Sequence, residues 1–218
     1  MRNLTAKQCG IGSWWSLFAL VVIGFWLNPV RAEIADTPTQ VKPVLIGHSV
    51  ADVALRDEQG EPASLAGALG GKPAVIVFYR GGWCPFCNFQ LGQLRDIQGD
   101  LTKLGVQLIA ITPDPPGALR GVTRKHELQY QLLSDSDMVA AEAFGVAYRL
   151  SADQIARYKK HDIFMSNTAG EPRFQLPVPA IFLVNKEGVV EFTYVNPDPK
   201  IRIQPELLLT AARLMTSD

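Results

Sequence analysis

Phe78-Tyr79-Arg80-Gly81-Gly82-Trp83-Cys84-Pro85-Phe86-Cys87 runs from an apolar stretch through a glycine pair into the start of a helix. Just upstream, Ala74 to Tyr79 is continuously apolar, the pattern of a strand covered on both faces in a parallel sheet. Pro85 suits the first helical position, where its fixed φ is already helical and its missing N–H costs nothing. Leu91, Leu94, Ile97, Leu101 and Leu104 then recur at three- and four-residue steps, which predicts one helix face packed on the sheet until Gly105. Val106 to Ile111 is the next strand. Strand, helix and strand in this order imply a right-handed parallel crossover, with ligands at the carboxyl ends of the strands, where Cys84 sits. At a helix start the unpaired N–H groups and the positive end of the macrodipole favour an anion, so a cysteine there is biased toward its thiolate. A second thiol one turn on, Cys87, can close a disulfide with it.

The first 32 of the 218 residues read as an export signal. They have a basic start (Arg2, Lys7), an apolar stretch from Ser13 to Leu27, a breaker at Asn28-Pro29, and Val30-Arg31-Ala32 with small residues where a peptidase would cut. The other reading is a membrane anchor at 13–27, although its length is short of the roughly twenty residues that span a bilayer. Either way the expected location is the periplasm or cell envelope. Cys9 precedes the apolar run and does not fit a lipidation site, and with cleavage the mature chain keeps only Cys84 and Cys87. Residues 33–46 are expected to be a flexible leader, and 47–218 one domain. Without residues 1–32 the chain carries 18 basic against 21 acidic residues. No basic stripe is present to neutralise phosphates, which argues against a nucleic-acid partner.

In an oxidising compartment a Cys-x-x-Cys can be a structural staple, a metal pair or a catalytic couple. A staple closing so small a loop removes little unfolded-chain entropy. A structural zinc site wants four ligands, and His48, His126 and His161 are scattered without a second cysteine pair. Exposure at a strand-to-helix junction is the expectation that favours the catalytic couple.

Further along, Thr112 to Pro116 breaks the chain before a helical stretch to Leu128, and Tyr130 to Leu133 reads as an edge strand. Met138 to Phe144 and Ser151 to Tyr158 read as short helices, the second opening an insertion whose polar remainder, His161 to Gln175, is irregular and able to cover the thiols. Ile181–Val184 and Val189–Val195 around Asn185-Lys186-Glu187-Gly188 form a hairpin, and Pro205 to Leu214 a closing helix. Val53 to Gly60 adds a strand and turn ahead of the central strand.

Phe78 to Cys87, Leu132-Leu133-Ser134-Asp135, Ala143-Phe144-Gly145-Val146 and Phe182 to Gly188 together resemble the alkyl hydroperoxide reductase C and thiol-specific antioxidant (AhpC/TSA) family. Arg80 to Asn88, Leu176 to Ala180 and Asn196 to Glu206 resemble its peroxiredoxin-like branch, a likeness that runs from about Gly47 to Leu214. The resemblance implies an α/β thioredoxin-like fold, a central mixed β-sheet flanked by helices, with an N-terminal β-extension and an insertion before the strand that follows Pro179. It implies reduction of hydroperoxides or disulfides through Cys84 and Cys87, reset by an external thiol donor such as a thioredoxin-like protein, with no cofactor or metal. Pro179 is expected to be the cis proline that faces the disulfide in thioredoxins and exposes the backbone of Val178; an ordinary trans proline at a strand start is the plainer alternative.

The chain also departs from the family. The peroxiredoxin Pro-x-x-x-Thr-x-x-Cys pattern falls here on Arg80, Cys84 and Cys87, and Pro179 stands where the family carries an arginine. Thioredoxin-like geometry makes Cys84 the first nucleophile and peroxiredoxin register makes it Cys87; the sequence leaves both open. Arg80 is placed to lower a thiol pKa or hold a developing anion, and Trp83 to pack as a lid beside the sulfurs. Arg173 and Arg202 could stand in for the missing arginine, with surface salt bridging the default for each. His126 and His161 have no assigned role. An envelope disulfide oxidoreductase is the close alternative, and a copper-binding protein using both cysteines with His161 a remote one.

Overall fold

The computed structural model describes residues 34–217, so the export segment and Cys9 lie outside the described residues. Its strands are β1 (Ala54–Arg56), β2 (Pro62–Ser64), β3 (Ala74–Phe78), β4 (Gln107–Thr112), β5 (Gln131–Ser134), β6 (Ala147–Arg149), β7 (Gln175–Pro177), β8 (Ala180–Val184) and β9 (Val190–Val195). Its α-helices are α1 (Leu65–Leu69), α2 (Pro85–Lys103), α3 (Pro116–Lys125), α4 (Val139–Ala143), α5 (Ala152–Lys160) and α6 (Pro205–Met215). Among the described residues no helix is long and apolar enough to cross a membrane.

The apolar run at 74–78 is buried at every position, as a strand covered on both faces must be. It lies inside a seven-stranded sheet of order β2-β1-β5-β4-β3-β8-β9. The pairs β3/β4 and β4/β5 are parallel, and the hairpin β8–β9 joins β3 antiparallel. Because side chains alternate along a strand, the sheet feeds two cores. Ile76, Phe78, Ile109, Ile111 and Phe182 face α4, β6 and β7, while Val75, Val77, Leu108, Ala110 and Leu183 face α2, α3 and α6. On the first face Phe144 packs against Phe78 and Phe182 with ring centroids 4.9 Å apart in each pair. On the second, Leu91, Leu94 and Leu101 of α2 are buried, each worth about 2 kcal/mol on transfer from water.

Two sequence expectations change here. The strand expected at the edge, β5, is interior, because Ser134 pairs with Arg56 of β1 and the N-terminal hairpin caps that side of the sheet. The expected flexible leader is docked. Lys42 N–H donates to Gly145 O at 3.0 Å, Val44 N–H to Phe144 O at 3.1 Å and Arg149 N–H to Ala35 O at 2.8 Å. Val41 and Val44 pack on the first core. Scattered single valines carry no periodicity, so this segment left no trace in a pattern-based reading.

Candidate active site

At the carboxyl end of β3, Tyr79 N–H still donates to Ile111 O at 3.0 Å, and then the chain turns through Arg80-Gly81-Gly82. Gly81 has φ +146°, and a Cβ there would lie 2.3 Å from Trp83 Nε1 and 2.7 Å from Asp114 Oδ1; a Cβ on Gly82 would lie 2.4 Å from Val122 Cγ2. The turn therefore requires both glycines. It is pinned by the Gly82 N–H donating to Asp114 Oδ2 at 2.6 Å and by Asn88 Nδ2 donating to Gly82 O at 2.8 Å. Asp114 is held above the ordinary carboxylate range by burial, which outweighs that hydrogen bond. Cys84 is the N-cap of α2, with its carbonyl accepting from the N–H groups of Cys87 at 3.1 Å and Asn88 at 3.0 Å. Pro85 takes the first helical position, as its chemistry predicts.

Both cysteines carry free thiols. The expected exposure is not there: Cys84 is 1% and Cys87 0% exposed, both within the core beneath α2 and α3, with Trp83 packed against it. The two sulfurs are electrostatically unequal. A hydrogen bond from the Cys87 thiol, opposed by burial and helped by the nearby cations of Arg80 and Arg202, lowers the Cys84 pKa to about 6. Burial pushes the Cys87 thiol up, and its bond to Cys84 adds to the rise. Arg202, from the segment between β9 and α6, donates from Nη2 to Cys87 Sγ at 3.4 Å. Of the two arginines weighed as stand-ins, this one reaches the site.

Arg173 does not, and it is not a surface salt bridge either. It is 7% exposed and donates to the carbonyls of Gln175 and Pro113, with burial lowering its pKa to about 10. Arg80 is buried behind the turn, its Cζ 5.0 Å from the Trp83 ring centroid and 5.7 Å from that of Tyr158, and its Nη2 donates to the Tyr158 hydroxyl. Trp83 packs against Tyr158 with ring centroids 5.3 Å apart and the rings tilted by 55°. Tyr158 itself carried no sequence signal beyond its place in a short helix.

Pro179 is a correction. Among the described residues there is no cis peptide bond. The Val178 N–H, expected to face a substrate, donates to Val146 O at 2.9 Å, and Pro179 O accepts from the Asn196 N–H at 3.1 Å. The β6–β7 ladder and β9 thus engage this backbone from both sides. His161 caps the C-terminus of α5, and no group of three or more His, Cys, Asp or Glu side chains gathers among the described residues.

A Cys-x-x-Cys at the strand-to-helix junction of such a sheet, with one thiol lowered and the other raised, has the chemistry that a thiol oxidoreductase uses. Residues 46–193 match the AhpC/TSA family, and the chain belongs to that family. It is similar to the putative peroxiredoxin bcp of Haemophilus influenzae, 36% identical over 106 residues, which span 49% of this chain and 68% of the relative. It is 33% identical to peroxiredoxin Bcp of Escherichia coli over 106 residues, 49% of this chain and 67% of that protein. Peroxidoxin BcpB of Mycobacterium tuberculosis superposes with a TM-score of 0.60 at 21% identity, covering 78% of this chain and 97% of the other. The peroxiredoxin-like protein of Aquifex aeolicus does so with a TM-score of 0.60 at 16% identity, covering 85% and 99%. The chain is accordingly an enzyme of peroxiredoxin type, a thiol-dependent peroxidase. Arg202 lies beyond the residues that match the family.

Proposed function

We propose that Cys84 is the sulfur that attacks the peroxide and Cys87 the one that resolves the product. The inequality of the two thiols carries this reading: Cys84 caps the N-terminus of α2 and is pulled down by the hydrogen bond from Cys87, while burial pushes the Cys87 thiol up. The Cys84 thiolate attacks one oxygen of the hydroperoxide. An S–O bond forms, the O–O bond breaks, and the alkoxide or hydroxide leaves with a proton as alcohol or water. Arg80 and Arg202 bring positive charge to the place where the leaving oxygen becomes negative. The Cys87 sulfur then displaces water from the Cys84 sulfenic acid, which gives the Cys84–Cys87 disulfide. An outside dithiol, such as that of a thioredoxin-like protein, reduces it by two exchanges and is itself oxidised.

Stopped-flow oxidation of the reduced protein by hydrogen peroxide tests this assignment. Fast oxidation that survives Cys87→Ser and vanishes in Cys84→Ser supports it. The opposite pattern assigns the attack to Cys87. Oxidation no faster than that of a free thiol points instead to disulfide exchange, a reading favoured by the exposed Phe86 and Phe89 beside the thiols, which offer an apolar face to a protein substrate.

The envelope is the proposed site of action, on the strength of the basic start, apolar stretch and small-residue cleavage pattern of residues 1–32. Cell fractionation with N-terminal sequencing of the recovered protein checks it, and full-length chain in the cytosolic fraction would refute it.

A further inference from the structure

The insertion between β6 and β7 sends one helix, α5, back over the turn that carries the thiols, and this helix buries none of its own residues. What it contributes is Tyr158. The Tyr158 hydroxyl accepts from Arg80 Nη2, and its ring packs at a tilt of 55° against Trp83 with centroids 5.3 Å apart, so Arg80 lies against two aromatic faces at once. Arg80 Nε is buried and without a hydrogen-bond partner. A long guanidinium side chain has several rotamers open to it, and a poorly satisfied one keeps its orientation only if something outside its own segment holds it. The Tyr148 hydroxyl of β6 also lies within hydrogen-bonding reach of the Arg80 guanidinium, so Tyr158 is one of two tyrosines that hold it.

We propose that Tyr158 is a positioning residue for the redox centre: its hydroxyl fixes the Arg80 guanidinium beside the thiols, and its ring, with Trp83, closes the sulfurs off from solvent. Docking of α5 then sets two properties together. With α5 down, Arg80 is aimed and the sulfurs are shut in; with α5 lifted, the sulfurs open to substrate or donor and the cation is left with Tyr148 alone. The helix is suited to such movement, since its hold on the body of the protein rests on a few half-buried contacts, Ile155 and Tyr158 among them. This inference rests on the reading of Cys84 as the reactive thiolate. The groups that face the Cys84 sulfur are Cys87, Arg80 and Arg202, and Tyr158 reaches it only through Arg80.

The test is the rate of iodoacetamide alkylation at Cys84 as a function of pH, read by peptide mass spectrometry on the fully reduced protein. Tyr158→Phe keeps the ring and loses the hydroxyl, so the midpoint of the profile is expected to rise by about half a unit to one unit while the high-pH plateau stays unchanged. Tyr158→Ala is expected to raise the midpoint equally and the plateau rate about tenfold, because the ring no longer shields the sulfur. In an Arg80→Gln background, Tyr158→Phe is expected to shift the midpoint no further, the signature of a residue acting through another. A Tyr158→Phe protein with native near-ultraviolet circular dichroism and an unmoved midpoint overturns the proposal, as does a shift that adds in full to that of Arg80→Gln. Alkylation needs no peroxide, so a protein that fails to react with peroxide would refute the peroxidase assignment while leaving this measurement intact.

Discussion

Arg202 Nη2 donates to Cys87 Sγ at 3.4 Å across 115 residues of chain. The contact brings a cation to the dithiol from the loop between β9 and α6, while Pro179, in a neighbouring strand start, contributes only backbone. The guanidinium's Nε is buried without a partner, so its hold in this place depends on what it does meet, the Ile201 carbonyl and the sulfur.

Removing that charge should slow the chemistry. Arg202→Gln is expected to lower the rate constant for oxidation by hydrogen peroxide about ten- to a hundredfold, the range of a charge-assisted hydrogen bond of about 1.5–3 kcal/mol. Arg202→Lys should recover part of it. Stopped-flow tryptophan fluorescence reads both, and an unchanged rate constant in Arg202→Gln would remove Arg202 from the reaction.

The Cys87 thiol is the main cause of the low Cys84 pKa. Cys87→Ala should therefore move the alkylation midpoint of Cys84 from about 6 toward the ordinary thiol range. With no resolving sulfur, one equivalent of peroxide should leave a sulfenic acid that a cyclic 1,3-dione labels at position 84. Labelling absent in this variant would contradict Cys84 as the attacking group.

Stability should follow pH with a sign set by the same group. Cys84 loses its proton at about 6 when folded, against an ordinary value of 9.0, so between these values the unfolded chain binds more protons and stability rises with pH. The contribution is lost as pH falls through about 6. Asp135 acts the other way. Its carboxyl is raised to about 7 by burial, against the N–H bonds it accepts from Ala140 and Ala141, so its contribution is lost as pH rises through that value. Urea titrations under reducing conditions should show the alkaline slope flattened by Cys84→Ser and the acidic slope by Asp135→Asn.

The docked leader has a single tight point. Gly145 sits at φ +66°, and a Cβ on it would lie 1.9 Å from the Lys42 carbonyl oxygen. Gly145→Ala is expected to cost about 1–3 kcal/mol and to release residues 34–44 from the body. Thermal melts and limited proteolysis of this segment would show it, and unchanged protection of the segment would contradict it.

How much of this was legible beforehand depends on the range of the forces involved. The strand at 74–78, the helix behind the cysteines and the hairpin at 180–195 follow from local periodicity and turn chemistry, which a sequence displays directly. The place of β5 in the sheet, the docking of the leader and the backbone around Pro179 depend on partners far away in the chain. Pattern carries no record of them.

The amino-acid order alone determined that a thiol pair opens a helix after a buried strand, since burial, glycine turns and helix starts are properties of neighbours. Only the tertiary structure decided how unequal the two sulfurs are and what encloses them. Arg202 comes from the segment between β9 and α6 and Tyr158 from the helix between β6 and β7, and the field at a sulfur falls off with distance through space, not along the chain.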